Sequence, residues 1–283
     1  QVSFSRVWSR LKNSNRITDI RVQLADLFQV SQDFITEEIH NIEHHRSHIA
    51  SSFFASKFKA SAILSIDGFG DFTSTMTAIG NENKFKVLDS VVYPHSLGVF
   101  YTAVTQFLGF PNYGDEYKVM GLAPYGEPKF LKQLEEILKI TDDGFFNLNK
   151  KYFLHFKDGV AMDWEGGRPS IASLFNKEWE SLFGKARARA DELEHWHIDL
   201  ATSVQKYTEQ VIFHMLNKLQ QQTGAENICI TGGVAQNSVA NGKILDNTDF
   251  KKIYIPSAGH DAGTSIGSAL YLYHQILGKQ RLP

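Results

Sequence analysis

The stretch SAILSIDGFGDFTSTMTAIG, residues 61 to 80, decides the fold class. Its apolar run SAILSI stops at Asp67, Gly68 and Gly70, and the β-prone run TSTMTAIG follows, so it reads as a strand, a tight glycine turn and a second strand. Downstream, DLATSVQKYTEQVIFHMLNKLQQQTG (199–224) places Leu200, Val204, Tyr207, Val211, Met215 and Leu219 on one helical stripe, with Asp199 as the expected cap and Gly224 as the stop. NICITGGVAQNSVANGKIL (227–245) reads as strand, glycine turn and helix, and KIYIPSAGHDAGTSIGSALYLYHQIL (252–277) repeats that order. Strands alternating with helices, with polar glycine loops at the strand ends, predict an α/β fold that takes its ligands at those loops.

The segments between fit this scheme. YPHSLGVFYTAVTQFLGF (93–110) is apolar and helical in pattern, NYGDEYKVMGLAPYGEP (112–128) is a long punctuated loop, and KFLKQLEEILKI (129–140) is a short amphipathic helix. Residues 1 to 38 begin basic (SRVWSRLKNSNR) and continue amphipathic. With 42% hydrophobic residues, 21 phenylalanines and a net charge of -2, the chain is globular and has no bulk attraction for nucleic acid or an anionic membrane. No apolar run approaches a membrane span and no signal segment opens the chain, and the one cysteine, Cys229, sits in a strand-like apolar run; the cytoplasm is the expected compartment.

Chemistry concentrates first in HNIEHHRSHIASSFF (40–54), which holds four of the eleven histidines. On a helix, His44 and His48 stand one turn apart and both rings reach one point, the geometry of paired metal ligands, whereas His45 points elsewhere. The same spacing also suits a polar helix face with packed histidines, and two ligands still need a carboxylate. In IDGFGD the glycines allow close approach of backbone to a phosphate, and Asp67 or Asp71 can hold a cation or its waters; a plain hairpin fits equally. Gly232, Gly233 and Asn237 in TGGVAQN offer backbone N–H groups and a carboxamide to a nucleotide, or simply make a strand-to-helix turn. Asp261 in PSAGHDAGTS can be the missing carboxylate or a helix cap.

Six collinear motifs, EHHRSHIASSFFAS, IDGFGDFTST, YPHSLGVFYTAVTQFLGF, DEYKVMGLAPYGEP, TGGVAQNSVANGKIL and PSAGHDAGTSIGSALY, resemble the O-carbamoyltransferases that modify antibiotics and nodulation factors. The resemblance implies an actin-like, two-lobed ATPase fold of the sugar kinase and Hsp70 type, built on RNase H-like lobes. It implies a divalent metal on His44, His48 and Asp261, iron first and manganese or zinc as alternatives. It places the nucleotide on Asp67, Gly68, Gly70, Asp71, Gly232, Gly233 and Asn237, and makes Glu116 and Lys118 candidates for the carbamoyl or phosphate end. The implied reaction uses ATP and carbamoyl phosphate to form carbamoyl adenylate, then passes the carbamoyl group to a hydroxyl of a small molecule or glycan. Neutral histidine ligands would tie this to pH, with loss near pH 6.

Against that family, the opening strand and phosphate turn and the C-terminal adenylate-forming domain are missing here, and the chain starts at Gln1. It is therefore expected to be one N-terminally incomplete domain, with 1–60 and about 262–283 as remnants of the first lobe and about 61–261 as the second. Such a piece is expected to be inactive alone and, with an open sheet edge, prone to dimerise. A tRNA threonylcarbamoyl-transfer ATPase, a small-molecule kinase and a catalytically silent nucleotide-binding scaffold are the rival readings. Trp164, Trp179 and Trp196 are read as a sugar-binding surface or as core.

Overall fold

A computed structural model describes residues 20–34, 39–160, 162–165 and 168–281. The basic stretch 5–16 and the Trp164 side chain lie outside the described set. The chain divides into two units, Gln1–Asn41 and Ile42–Pro283. In the first, a helix over Ile20–Phe28 buries Ala25, and a short turn spans Gln32–Phe34.

The second unit is built on a five-stranded sheet of β1 (Ala60–Gly70), β2 (Thr73–Asn81), β3 (Lys84–Val92), β4 (Asn227–Thr231) and β5 (Lys252–Tyr254), in the order β3-β2-β1-β4-β5. β1 to β3 pair antiparallel, whereas β1–β4 and β4–β5 are parallel. The mixed sheet with helices on both sides is the α/β class that the sequence led us to expect, and it is the one five-stranded sheet among the described residues.

β1 is buried from Ser61 to Ile66 because it is covered on both sides. Strand alternation sends Ile63 to one face, where it meets Ile49 and Phe53 of α1 (His44–Phe53), Met76, Ala78 and Cys229. Ala62, Leu64 and Ile66 face the larger core with α2 (Leu97–Phe107) and the long helix α3 (His195–Thr223). A last helix, α4 (Thr264–Leu270), packs against α1, with Ser47 Oγ 3.0 Å from Ser268 Oγ. Both α1 and α4 lie with the same sheet, in one compact unit beginning at Ile42.

Five local expectations shift. The loop expected over 112–128 holds a helix, Glu116–Leu122, which carries Glu116 and Lys118. The chain reverses at Asp71 and Phe72, both with positive φ, and not at the glycines, while residues between Ile66 and Gly70 bulge out of register with β2. Helix α3 starts at His195 after Glu194, so Asp199 is inside it; buried there, Asp199 accepts hydrogen bonds from Glu127 N at 2.8 Å and Lys129 Nζ at 2.8 Å. The helix expected after TGG is broken into short turns at Gly233–Gln236 and Ser238–Asn241. The amphipathic segment from 129 is helical only over Leu131–Ile137 and passes into a strand, Leu138–Ile140. Trp179 is fully buried in the core and Trp196 stacks on His197, with ring centroids 3.8 Å apart. Among the described residues no helix is long and apolar enough to cross a membrane.

Candidate active site

The site is made where α1 begins, β1 bulges and the loop before α4 passes. Glu43 caps α1, its carboxylate accepting from His45 N and Arg46 N, and Asp71 Oδ2 accepts from His44 N at 2.9 Å. These two acids satisfy the orphan N–H groups of the first turn and fix where His44 and His48 project. Asp67 is swung into the same space by the bulge. Ser96 Oγ, at the start of α2, lies 3.1 and 2.7 Å from the carbonyl oxygens of Asp67 and Gly68 and holds that irregular backbone.

Four side chains converge. His48 Nε2 lies 3.0 Å from His44 Nε2, 3.0 Å from Asp67 Oδ2 and 3.5 Å from Asp261 Oδ1. His44 Nε2 lies 3.5 Å from Asp67 Oδ2 and 3.6 Å from Asp261 Oδ1. Atoms bound at about 2.0–2.2 Å around a tetrahedral metal stand about 3.4 Å apart, close to the distances each histidine makes here, and all four ligand atoms lie within 4.8 Å of one another. A mixed imidazole and carboxylate set suits first-row divalent ions. Gly70 presses against His44 so tightly that a Cβ at that position would collide with its ring, which closes that side of the imidazole.

Electrostatics bind the cluster together. Burial opposes a charge on His48, but hydrogen bonds to Asp261 and Asp67, with their negative charges, outweigh it and push the imidazole up to about 9. Burial likewise works against charging Asp67, yet the hydrogen bonds from His44 and His48 hold it well below the usual carboxylate range. His45 stands apart. Burial lowers it to about 4, Nε2–H donates to Thr73 O at 3.0 Å and Nδ1 accepts from Ser65 Oγ at 2.8 Å, so it is a neutral structural histidine.

The cluster opens onto a cavity of about 650 Å³ whose walls are largely apolar, with Phe69, Val99, Tyr101, Met120 and Leu174 among them. Asp67, Gly68, Gly233, Asn237, Glu116 and Asp261 line it too. Opposite walls come from the bulge, from α2 and from the turn after β4. Gly232 has φ 94°, and a Cβ there would collide with Ile66 O, so β1 and the TGG turn meet in a way that only glycine permits.

Residues 9–270 match the carbamoyltransferase N-terminus family. The chain belongs to that family. It is 33% identical over 252 residues to the nodulation protein NolNO of Sinorhizobium fredii, covering 87% of this chain and 34% of the relative. It is 33% identical over 246 residues to NolO of Bradyrhizobium diazoefficiens, covering 86% and 40%. The uncharacterised protein sll1178 of Synechocystis is 40% identical over 242 residues, covering 85% and 37%. The chain thus spans well under half the length of these relatives. Among solved structures, T. kodakarensis HypF aligns over 91% of this chain and 38% of its own, with a TM-score of 0.44 and 14% identity.

Within this carbamoyltransferase domain the sequence candidates separate. His44, His48 and Asp261 come together as expected, and Asp67, read as a nucleotide or cation residue, stands with them. Asp261 turns to the histidines, leaving the cap of the following turn to His260. Gly68, Gly233 and Asn237 face the cavity; Gly70 and Asp71 instead brace His44, and Gly232 braces the turn. Glu116 lines the cavity and accepts from Thr102 Oγ1 at 2.6 Å, whereas Lys118 pairs with Asp115 Oδ1 at 2.7 Å and is absent from the cavity wall. Sequence reading missed Ser96, Tyr101 and Gln205, whose partners are distant in the chain and leave no local signature.

Proposed function

We propose that this domain carries the transfer half of an O-carbamoyltransferase, moving a carbamoyl group from carbamoyl adenylate to a hydroxyl of a small molecule or glycan. The observation that carries this reading is the His44, His48, Asp67 and Asp261 cluster opening onto the cavity, in a chain of the carbamoyltransferase family. Those four side chains would hold a divalent cation, iron first among the candidates. When bound, it supplies Lewis acidity to the adenylate phosphate as negative charge develops there.

The chain's own residues would do the rest. Gly68 and Gly233 let backbone come close to the nucleotide, and Asn237 offers a carboxamide beside them. The acceptor's hydroxyl oxygen bonds to the carbamoyl carbon, the bond from that carbon to the phosphate oxygen breaks, and AMP leaves with the electron pair. Glu116 would take the hydroxyl proton, a role supported by its position on the cavity wall and by the Thr102 hydrogen bond going to its Oε1. The largely apolar cavity keeps water from intercepting the carbamoyl group. ATP and carbamoyl phosphate, as the source of the adenylate, belong to the activity of the whole protein, and a cytoplasmic setting suits those substrates.

Calorimetric titration of ATP into the chain, with and without manganese, tests this reading. Metal-dependent binding that His44→Ala abolishes supports it. Binding indifferent to both the ion and the mutation rules out the cluster as a nucleotide-linked metal site.

A further inference from the structure

Behind the cavity wall lies a buried polar chain of which the proposed chemistry uses only Asn237. On α3, Gln205 and Glu209 are 3% and 1% exposed, one helical turn apart. Gln205 and Asn237 form a reciprocal amide pair: Gln205 Nε2 donates to Asn237 Oδ1 at 3.0 Å and Asn237 Nδ2 donates to Gln205 Oε1 at 2.9 Å. Gln205 Nε2 also donates to Glu209 Oε1 at 3.0 Å, and its Oε1 accepts from the hydroxyl of Tyr101, another cavity residue, at 3.0 Å. Lys243 Nζ anchors Glu209 at 2.7 and 2.9 Å.

An amide pair by itself can sit either way round, but the ends of this chain cannot. A carboxylate is acceptor-only, so Glu209 requires the NH2 of Gln205. That leaves Gln205 Oε1 to face Asn237 Nδ2. At the other end the backbone N–H of Ala240 donates to Asn237 Oδ1 at 3.0 Å and demands the same orientation. Both lone-pair directions of Asn237 Oδ1 are thereby taken, and the second Nδ2 hydrogen has no acceptor among the described residues. Asn237 therefore meets the cavity as a hydrogen-bond donor.

We propose that Gln205 and Glu209 are positioning residues that lock the Asn237 carboxamide as a donor toward an oxygen acceptor of the bound nucleotide. This rests on the nucleotide reading given above. Burial of a fully satisfied network gives it a rigidity that a solvent-exposed asparagine lacks.

The test is a double-mutant cycle on AMP affinity, measured by calorimetry on the full chain with manganese. Glu209→Gln removes the acceptor-only end with little change of volume and is expected to weaken AMP about five- to tenfold, the value of one oriented hydrogen bond. In an Asn237→Ala background the same change is expected to cost no more than about twofold, because its effect runs through Asn237. A purely structural role would be additive. Gln205→Met, matched in length, gives a second cycle should Glu209→Gln fail to fold, with thermal melting as the check. Additive losses in the cycle, or an unchanged AMP affinity in folded single variants, overturn the positioning role. Failure of the unaltered chain to bind AMP overturns the nucleotide reading itself and this inference with it.

Discussion

Gly70 and His44 are in contact so close that residue 70 has no room for a side chain. The glycine in β1 thus bounds the ring of the proposed metal ligand on α1. Gly70→Ala is expected to weaken manganese binding by about 10- to 100-fold, the usual scale for losing a group that orients a metal ligand. Titration by calorimetry, with circular dichroism to show the sheet intact, checks it; unchanged affinity in the folded variant would refute the role.

The acid–base behaviour of His48 gives a second expectation. Its folded value, about 9, lies above the ordinary 6.5, so its contribution to the stability of the metal-free chain is full below pH 6.5 and is lost as pH rises through 9. A cation must displace that proton, so apparent manganese affinity should rise about tenfold per pH unit toward pH 9. The metal-free site therefore holds its proton well above the pH 6 expected from unperturbed histidines. A flat affinity between pH 7 and pH 9 would contradict the assignment.

The adjacent histidines should separate cleanly by experiment. His45 is fully buried, and both of its ring nitrogens have partners. His45→Ala is expected to cost about 2–4 kcal/mol of stability by leaving a cavity and unpaired polar groups, without removing a metal ligand. His44→Ala should instead abolish metal binding and leave the melting temperature of the metal-free chain close to its starting value. Denaturant titration of both variants decides.

Lys118 and Glu116 make a comparable pair. Lys118 bonds to Asp115 away from the cavity wall, so Lys118→Met should cost less than about 1 kcal/mol and alter AMP affinity by less than about twofold. Glu116→Gln, which keeps the contact to Thr102 but removes the base, should lower the rate of carbamoyl transfer by the complete protein about 10²–10⁴-fold and leave AMP affinity nearly unchanged. Equal effects of the two substitutions would count against this division.

Much of this was legible in the sequence, for identifiable reasons. The alternation of β-prone runs, glycine turns and amphipathic segments gave the α/β class, and the i, i+4 spacing of His44 and His48 gave the convergence of their rings because a helix repeats nearly every four residues. Asp67 was read as a nucleotide or cation residue but not as a companion of the histidines, since it lies in the bulge between Ile66 and Gly70, which no local pattern announces. The reversal at Asp71–Phe72 was hidden because two residues other than glycine adopt positive φ there, against local preference. Asp199 looked like a cap and is an internal helix residue bound to Lys129, a partner fixed only by tertiary packing. Gln205 and Glu209 sit in a helical pattern that reads simply as amphipathic, and nothing local marks them as a hub.

The four converging side chains come from the start of α1, the end of β1 and the loop before α4, segments far apart along the chain. An ion gripping them would act as a rivet across nearly the whole second unit, closing a long loop that the unfolded chain would otherwise leave open. Its loss would therefore be felt as loosened architecture as well as lost chemistry. The segment from Asp261 onward would detach first, and limited proteolysis after chelation should find its earliest cuts there, while the central strands still resist.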